Sequence, residues 1–279
     1  MRQRLPRLAL LLTGLWMLST APLAAADFSS KAEFLKIYEP AALVIQKVYD
    51  SLHIQGKSES SNLAKTDHVA PFEYWAHEGS TRLDVTDPDS GRTLIRVATP
   101  KESFRVYFEP ADLTYALDTV DKAPDEIHES MRLFVPTVFA PYCFREVTIA
   151  EFIRSDVITY VRHESVRRDK AVLTKVEFEW QTSPPGKAVT KVPAIFVFDA
   201  EHSWACVEYS VGRNDPIEAT FTYEGLLDNV PLIKSAQWSR KSEKALGFGQ
   251  QGHVTKIVKE APPGAAHFKL SGFGLEEPK

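Results

Sequence analysis

The clearest pattern of apolar and polar positions in this chain lies at residues 172–181. The even positions read Val, Thr, Val, Phe, Trp, and the odd positions read Leu, Lys, Glu, Glu, Gln. A period of two places one row of side chains on each face of a β-strand. The segment therefore predicts a strand of an antiparallel sheet that has one buried face and one solvated face.

Strand-like segments recur through most of the chain. Turn sequences separate them, such as Pro-Asp-Ser-Gly at residues 88–91 and Asn-Asp-Pro at residues 214–216. About a dozen short strands at regular spacing are typical of a barrel or sandwich. Besides 170–181, the predicted strands are 72–76, 80–86, 93–98, 103–108, 112–118, 157–167, 192–199, 203–212, 217–223, 231–240 and 252–259.

Two regions break the strand pattern with helical spacing. In the first, over residues 29–52, Ser29 or Ser30 can cap a helix, and Pro40 is expected to kink the helix or to restart it. The second predicts one or two short helices within residues 122–155, with a capping-box sequence at residues 148–151. The apolar stripe of the first region consists of Phe34, Ile37, Ala41, Ile45, Val48 and Leu52.

Two stretches predict loops. Residues 56–70 are polar and rich in serine. Residues 247–252 read Gly-Phe-Gly-Gln-Gln-Gly, which matches the dinucleotide-binding fingerprint letter for letter. That motif needs a preceding strand, a following helix and an acidic residue about 20 positions later. Because this context is missing, we interpret the segment as a flexible hairpin loop.

The beginning of the chain has the arrangement of a secretory signal peptide. Three arginines precede an apolar stretch at residues 8–18, and three alanines follow at residues 24–26. The apolar stretch is shorter than the roughly 20 residues that a membrane-spanning helix needs. We therefore predict cleavage after Ala26 rather than an uncleaved anchor. No cysteine follows directly to carry a lipid, and no other apolar run is long enough to span a bilayer, so a periplasmic or secreted location is expected.

Charge and length narrow the choice of partner and domain number. Removal of residues 1–26 takes three arginines and no acid, which changes the net charge from −4 to −7. Nucleic-acid binding depends on basic contacts to phosphates, so nucleic acid is not an expected partner. The remaining length suits one large all-β domain or two small ones. We predict a single domain over residues 27–279.

Cys143 and Cys206 are the only cysteines in the sequence. In an oxidising compartment they can form a disulfide. The alternative is two buried thiols, and spacing in the sequence does not decide between them. In either case a hydrophobic core must supply most of the stability.

The order of elements and the end of the chain resemble a known superfamily. The chain resembles bacterial periplasmic lipoprotein carriers of the LolA and LolB type in the order of its elements. That order is a helix, a block of strands, a helical insertion and a longer block of strands. The ending at residues 268–278, Phe-Lys-Leu-Ser-Gly-Phe-Gly-Leu-Glu-Glu-Pro, is similar to the tail of exported bacterial proteins that share this layout.

This resemblance implies a mostly β fold with a few helices. Its centre is an unclosed, curved antiparallel sheet, a half-barrel, wrapped around the N-terminal helix, with the helical insertion as a short lid. It also implies an apolar concave cavity for acyl chains and an arginine on an early strand that holds the lid. Arg82 is the nearest candidate for that arginine.

A curved, unclosed sheet of many strands favours an interior space that side chains alone do not fill. The alternative is that inward-facing aromatic rings pack against the helices as an ordinary core. The candidates for lining an apolar cavity are Phe178, Trp180, Phe196, Phe198, Phe221 and Tyr223.

Three functions remain open at this point. The leading hypothesis is an exported soluble carrier that holds a lipid or lipoprotein acyl chain, with a membrane or envelope protein as acceptor, and that needs no cofactor. The second is a non-enzymatic envelope scaffold whose cavity is filled by side chains. The third is a secreted hydrolase, although no catalytic motif and no metal-binding spacing is present. Its candidate residues are His77, Glu78, Asp156, His163 and His202.

Overall fold

An open antiparallel sheet accounts for most of the chain. The structure is a computed structural model that describes residues 27–62, 65–121, 141–144, 147–169, 171–182, 188–240 and 248–277. Its helices are α1 (Lys31–Tyr49) and α2 (Ile149–Arg154), and two short 3₁₀ turns lie at Ala265–Phe268 and Leu270–Phe273. The strands are β1 (His53–Asn62), β2 (Lys65–His77), β3 (Ser80–Thr86), β4 (Thr93–Ala98), β5 (Ser103–Glu109), β6 (Thr114–Asp121), β7 (Cys143–Phe144), β8 (Val147–Thr148), β9 (Ile158–Arg168), β10 (Ala171–Thr182), β11 (Thr190–Asp199), β12 (Ala205–Val211), β13 (Ile217–Leu227), β14 (Val230–Arg240) and β15 (Phe248–Val258).

The topology of the sheet is two meanders joined in the middle. The strand order is β6-β5-β4-β3-β2-β1-β15-β14-β13-β12-β11-β10-β9, and β1 pairs with both β2 and β15. Within the described residues β6 and β9 are the two edges, so the sheet is unclosed. The predicted mostly β, half-open architecture around a helix is confirmed.

Helix α1 packs on one face of the sheet, which we call the inner face. Ser30 caps the helix by accepting a hydrogen bond from the Glu33 amide at 3.3 Å. Pro40 lies inside a single helix, so the prediction that the helix restarts there is wrong. The buried stripe is also rotated slightly from the predicted one, because Tyr38 and Ala42 are buried while Ile37 and Ala41 are only half-buried.

Both predicted loops are wrong, because each lies in a strand. Residues 56–70 belong to β1 and β2, apart from positions 63–64, which lie outside the described residues. Residues 248–252 belong to β15, which pairs with β14 and β1. Backbone pairing on both sides stabilises these segments, and small polar side chains such as Ser58 occupy their buried positions.

The second helical region is confirmed only at α2. The prediction of helix is wrong at residues 143–144 and 147–148, which form the paired short strands β7 and β8. Thr148 and Glu151 form the predicted capping box at the start of α2. Arg154 of α2 pairs with Glu39 of α1 at 2.8 Å. Lys31 donates to the carbonyl of Ile158 at 2.8 Å, which ties the start of α1 to β9. Residues 122–140, which contain the rest of the predicted insertion, and the predicted signal peptide at residues 1–26 lie outside the described residues.

The opposite face of the sheet, the outer face, carries a second and smaller apolar core. The C-terminal strap, which we define as residues 260–277, covers this face of β2–β5. Phe268, Leu270 and Phe273 of the strap are buried there. Their partners on the sheet are Trp75, Ile95, Val97, Phe104 and Val106.

Candidate functional site

The six aromatic side chains predicted to line a cavity share the inner face of β10, β11 and β13. The rings of Phe178 and Phe196 have centroids 6.3 Å apart, and those of Phe196 and Phe198 are 6.1 Å apart. These distances are within the range of favourable aromatic contact. Phe178, Phe196, Phe198 and Phe221 are buried, whereas Trp180 and Tyr223 are half-buried.

Helices α1 and α2 contact these rings directly. The ring centroid of Phe34 is 5.7 Å from that of Phe178, and the centroid of Tyr38 is 4.8 Å from that of Phe198. Phe152 of α2 lies 5.5 Å from Trp180. The inner face over β10 and β11 is therefore packed by aromatic side chains from the protein's own helices.

Tyr38 was absent from the predicted stripe, although its spacing of four from Phe34 places the two residues on one helix face. Their rings stack with centroids 5.3 Å apart. The i, i+4 aromatic pair was the signal in the sequence that would have identified this contact.

Along one row of the inner face the side chains become smaller towards the middle of the sheet. Phe221 pairs with Ala236, Ala236 with Gly252, and Gly252 with Ser58. The side chains along this row shrink from a phenyl ring to methyl, hydrogen and hydroxymethyl groups. Helix α1 approaches β14 closely in this half of the fold. The inner face thus has an aromatic half, on β10–β13, and a row of small side chains at Ala236, Gly252 and Ser58, beside larger ones such as Ile233 and Val254.

Three tyrosine hydroxyl groups lie in this apolar interior. Tyr49 donates to the carbonyl of Pro231 at 3.1 Å and accepts from the amide of Ile233 at 2.9 Å. Tyr223 donates to the carbonyl of Cys206. The hydroxyl of Tyr38 is buried and has no hydrogen-bond partner among the described residues. Burial raises the pKa of all three tyrosines, so each hydroxyl keeps its proton.

Cys143 and Cys206 are both buried thiols of the main core. The Cys206 amide donates to the carbonyl of Pro141 at 3.4 Å, so the segment that carries Cys143 passes next to β12. The Cys206 thiol donates to the carbonyl of Glu208 at 3.3 Å, and burial raises the pKa of this thiol. Pairing of the two cysteines in an oxidising compartment stays a prediction.

Arg82 lies on the outer face of β3, directly opposite Trp75 of β2. Its guanidinium forms a two-pronged ion pair with Asp84, with N–O distances of 2.7 and 2.6 Å. It also donates to the carbonyl of His267 in the C-terminal strap at 3.3 Å. The predicted role of Arg82 at the helical insertion stays a prediction, since residues 122–140 lie outside the described residues.

The candidate residues for a hydrolase do not form a shared cluster in the described structure. His77 lies 3.8 Å from Glu78 at the β2–β3 turn, and His202 pairs with Asp199 at 2.8 Å. The Tyr160 hydroxyl lies 2.8 Å from His163 on β9. Each of the three histidines thus has a partner close to it in the chain. No described hydrogen bond or ion pair joins His77, His163 and His202 to one another.

Comparisons with known proteins show a distant likeness in structure. No protein-family model matches the sequence, and no curated protein is significantly similar to it. A crystal structure of a LolA superfamily protein from Nitrosomonas europaea resembles this chain. The two share 10% sequence identity with a TM-score of 0.47, over 88% of this chain and 100% of the other. A likeness at this level does not transfer a function.

Two further searches of the described residues were negative. They contain no group of three or more His, Cys, Asp or Glu side chains arranged to hold a metal ion. None of the described helices has the length and apolar character that crossing a bilayer requires.

Proposed function

We propose that this protein is an exported, non-enzymatic binding protein that holds a lipid or lipoprotein acyl chain, or a similar apolar ligand, against the inner face of its open sheet. The observation that carries the proposal is the row from Phe221 through Ala236 and Gly252 to Ser58. Along this row the side chains on an unclosed sheet change from a phenyl ring to small groups and end at the Ser58 hydroxyl, which accepts a hydrogen bond from Gln250 at 3.0 Å. A surface of this kind offers a flexible hydrocarbon both depth and apolar contact.

Export and delivery complete the proposal. The N-terminal sequence supports secretion to the periplasm or the medium, where a membrane or an envelope protein would accept the ligand. We propose that the ligand is bound and released unchanged.

A displacement assay on the mature chain tests this proposal. A fluorescent fatty acid bound to the protein should be displaced by palmitate. Trp180 is half-buried on β10, within the aromatic half, and is one of the predicted lining side chains. The Trp180→Ala variant should therefore bind the probe about tenfold more weakly, because it loses the apolar contact of an indole ring. Trp180→Phe should retain most of the affinity.

Glu179 provides the matched control. It is the next residue on β10 and points to the opposite face, where it pairs with Lys191 at 2.6 Å. Glu179→Ala should bind the probe as the wild type does. Equal weakening by the Glu179 and Trp180 variants would contradict binding at the inner face.

A second function is favoured by the ring contacts of Phe34, Tyr38 and Phe152. These side chains already pack on Phe178, Phe198 and Trp180. A protein whose inner face is filled in this way would serve as an envelope scaffold. Failure of the wild type to bind any apolar probe would favour this alternative.

A further inference from the structure

The C-terminal strap is held on the outer face mainly by apolar contacts. Leu270 is fully buried against the sheet, and Phe268 and Phe273 are nearly so. The ring of Phe273 lies 6.1 Å from that of Phe104, and the guanidinium of Arg82 lies 4.8 Å from the centre of the Phe273 ring. If the strap left the sheet, the outer apolar side chains of β2–β5 would be exposed to water.

His53 lies where the strap begins. It is 3% exposed, and its ring stacks on the indole of Trp75 with centroids 3.6 Å apart. Nε2 is 2.6 Å from a carboxylate oxygen of Glu73 on β2. Nδ1 is 3.2 Å from a carboxylate oxygen of Glu260, the first residue of the strap. His53 therefore bridges the sheet and the strap through both ring nitrogens.

This geometry requires a particular protonation state. A neutral imidazole has a single N–H, so one of its nitrogens would direct a lone pair at a carboxylate oxygen. The imidazolium donates from both nitrogens and makes two charge-assisted hydrogen bonds. The bridge is therefore complete only when the His53 ring carries both protons.

The other charged groups around the bridge are already paired. Lys256 of β15 lies 3.6 Å from Glu260, and Arg82 of β3 is paired with Asp84. With Glu73 and Glu260 the cluster has three carboxylates against two permanent cations. A protonated His53 supplies the third cation and makes the cluster neutral.

We propose that His53 is a proton-dependent clasp, which holds the C-terminal strap on the outer face while its ring is protonated and weakens that hold when the ring loses a proton. The proposal is independent of what the inner face binds. Release of the strap would expose the apolar patch around Trp75, Val97 and Phe104 as pH rises.

The neighbouring titratable groups do not change charge in the range in which the clasp would act. Burial and the nearby Arg82 lower the pKa of His267 to about 4, so its ring is neutral above pH 5.5. Burial raises the pKa of Glu73, but hydrogen bonds from Gln55 and His53 outweigh it and the net pKa is lowered. The hydrogen bond from His53 also lowers the pKa of Glu260.

Hydrogen–deuterium exchange of the full mature chain tests the clasp. Peptides from residues 265–275 report on the strap through amides such as Leu275, which donates to the carbonyl of Leu270 at 3.1 Å. Peptides from α1 report on the main core. With labelling times scaled for the intrinsic pH dependence of amide exchange, strap protection should fall about tenfold between pH 5.5 and pH 9, while α1 should not change.

Two variants at the bridge should change this result in opposite ways. In Glu260→Gln the side-chain amide can donate to Nδ1 of a neutral His53 while Nε2–H donates to Glu73, so the strap should stay protected at both pH values. In His53→Gln one carboxylate always faces the amide oxygen, so the strap should exchange faster at both pH values. His202→Gln, which changes a histidine at a distant turn, should behave as the wild type.

Equal strap protection of the wild type at pH 5.5 and pH 9 would overturn the proposal. A Glu260→Gln variant that loses protection at pH 9 as the wild type does would also overturn it, and this comparison stands even if His53→Gln fails to fold.

Discussion

Gly56 of β1 lies directly against the ring of Phe72, its partner on β2. A Cβ atom on Gly56 would be 2.7 Å from two carbons of that ring and 2.3 Å from the carbonyl oxygen of His253 on β15. Gly56 also lies next to a shift in the β1–β15 register. The contact between the two halves of the sheet thus depends on a residue with no side chain.

The Gly56→Ala substitution should destabilise the fold by about 3 kcal/mol, since neither the His253 carbonyl nor the buried Phe72 ring can easily move away. Denaturant unfolding measures this loss. Gly264→Ala is the control, because no atom lies within 4 Å of the position of its Cβ. Similar stability of the two variants would contradict the close packing at Gly56.

Tyr49 and Tyr38 allow a paired test of the buried hydroxyl groups. Tyr49→Phe would leave the carbonyl of Pro231 and the amide of Ile233 without this partner, and should cost about 2 kcal/mol. Tyr38→Phe removes a hydroxyl that has no partner in the described part of the chain, so it should be neutral or slightly stabilising. Thermal unfolding of both variants gives the comparison, and an equal loss in both would contradict the described hydrogen bonds.

Glu177 should make the protein sensitive to acid. Hydrogen bonds from Arg162 and Lys175 on the outer face lower the pKa of Glu177 to about 2. Because the folded-state pKa lies below the ordinary value of 4.5, this stabilisation is present above pH 4.5 and is lost as pH falls towards 2. The pairs are at the surface, so the effect should be about 1 kcal/mol or less.

Thermal melts of the wild type and of Glu177→Gln at pH 7 and pH 3 measure this contribution. The variant should melt a few degrees lower at pH 7 and should lose less stability on acidification. Glu179→Gln, which removes a carboxylate with Lys191 as its ion-pair partner, should keep most of the wild-type acid sensitivity. An unchanged acid response in Glu177→Gln would contradict the assignment.

The sequence predicted most of the second meander because its strands alternate clearly. It was wrong at the start of β10, where Val172 is exposed and Leu173 is buried, and at residues 248–252, which lie in β15. Val176 and Phe178 lie on the buried row that the pattern indicates, and Glu177 lies on the opposite row. The pattern of apolar positions did not predict β1, because Gly56 and Ser58 occupy buried positions of that strand. Such positions are determined by pairing with β2 and β15, which is not visible in a local pattern of hydrophobicity.

The candidate site could be predicted only in part for a similar reason. Alternation places Phe196 and Phe198 on the inner face, but it does not show that Phe34 and Tyr38 of a distant helix pack on them. The clasp at His53 was missed altogether. Glu260 is 207 positions away from His53 in the chain, and the two meet only because the strap folds back onto the outer face.

Native mass spectrometry of the mature protein from an envelope fraction tests the central claim most directly. The same sample is measured before and after extraction with organic solvent. The binding proposal predicts that extraction removes a discrete mass of the size of a lipid and leaves the mass of residues 27–279. A protein that is already at its sequence mass before extraction, and that takes up no added lipid, would contradict it.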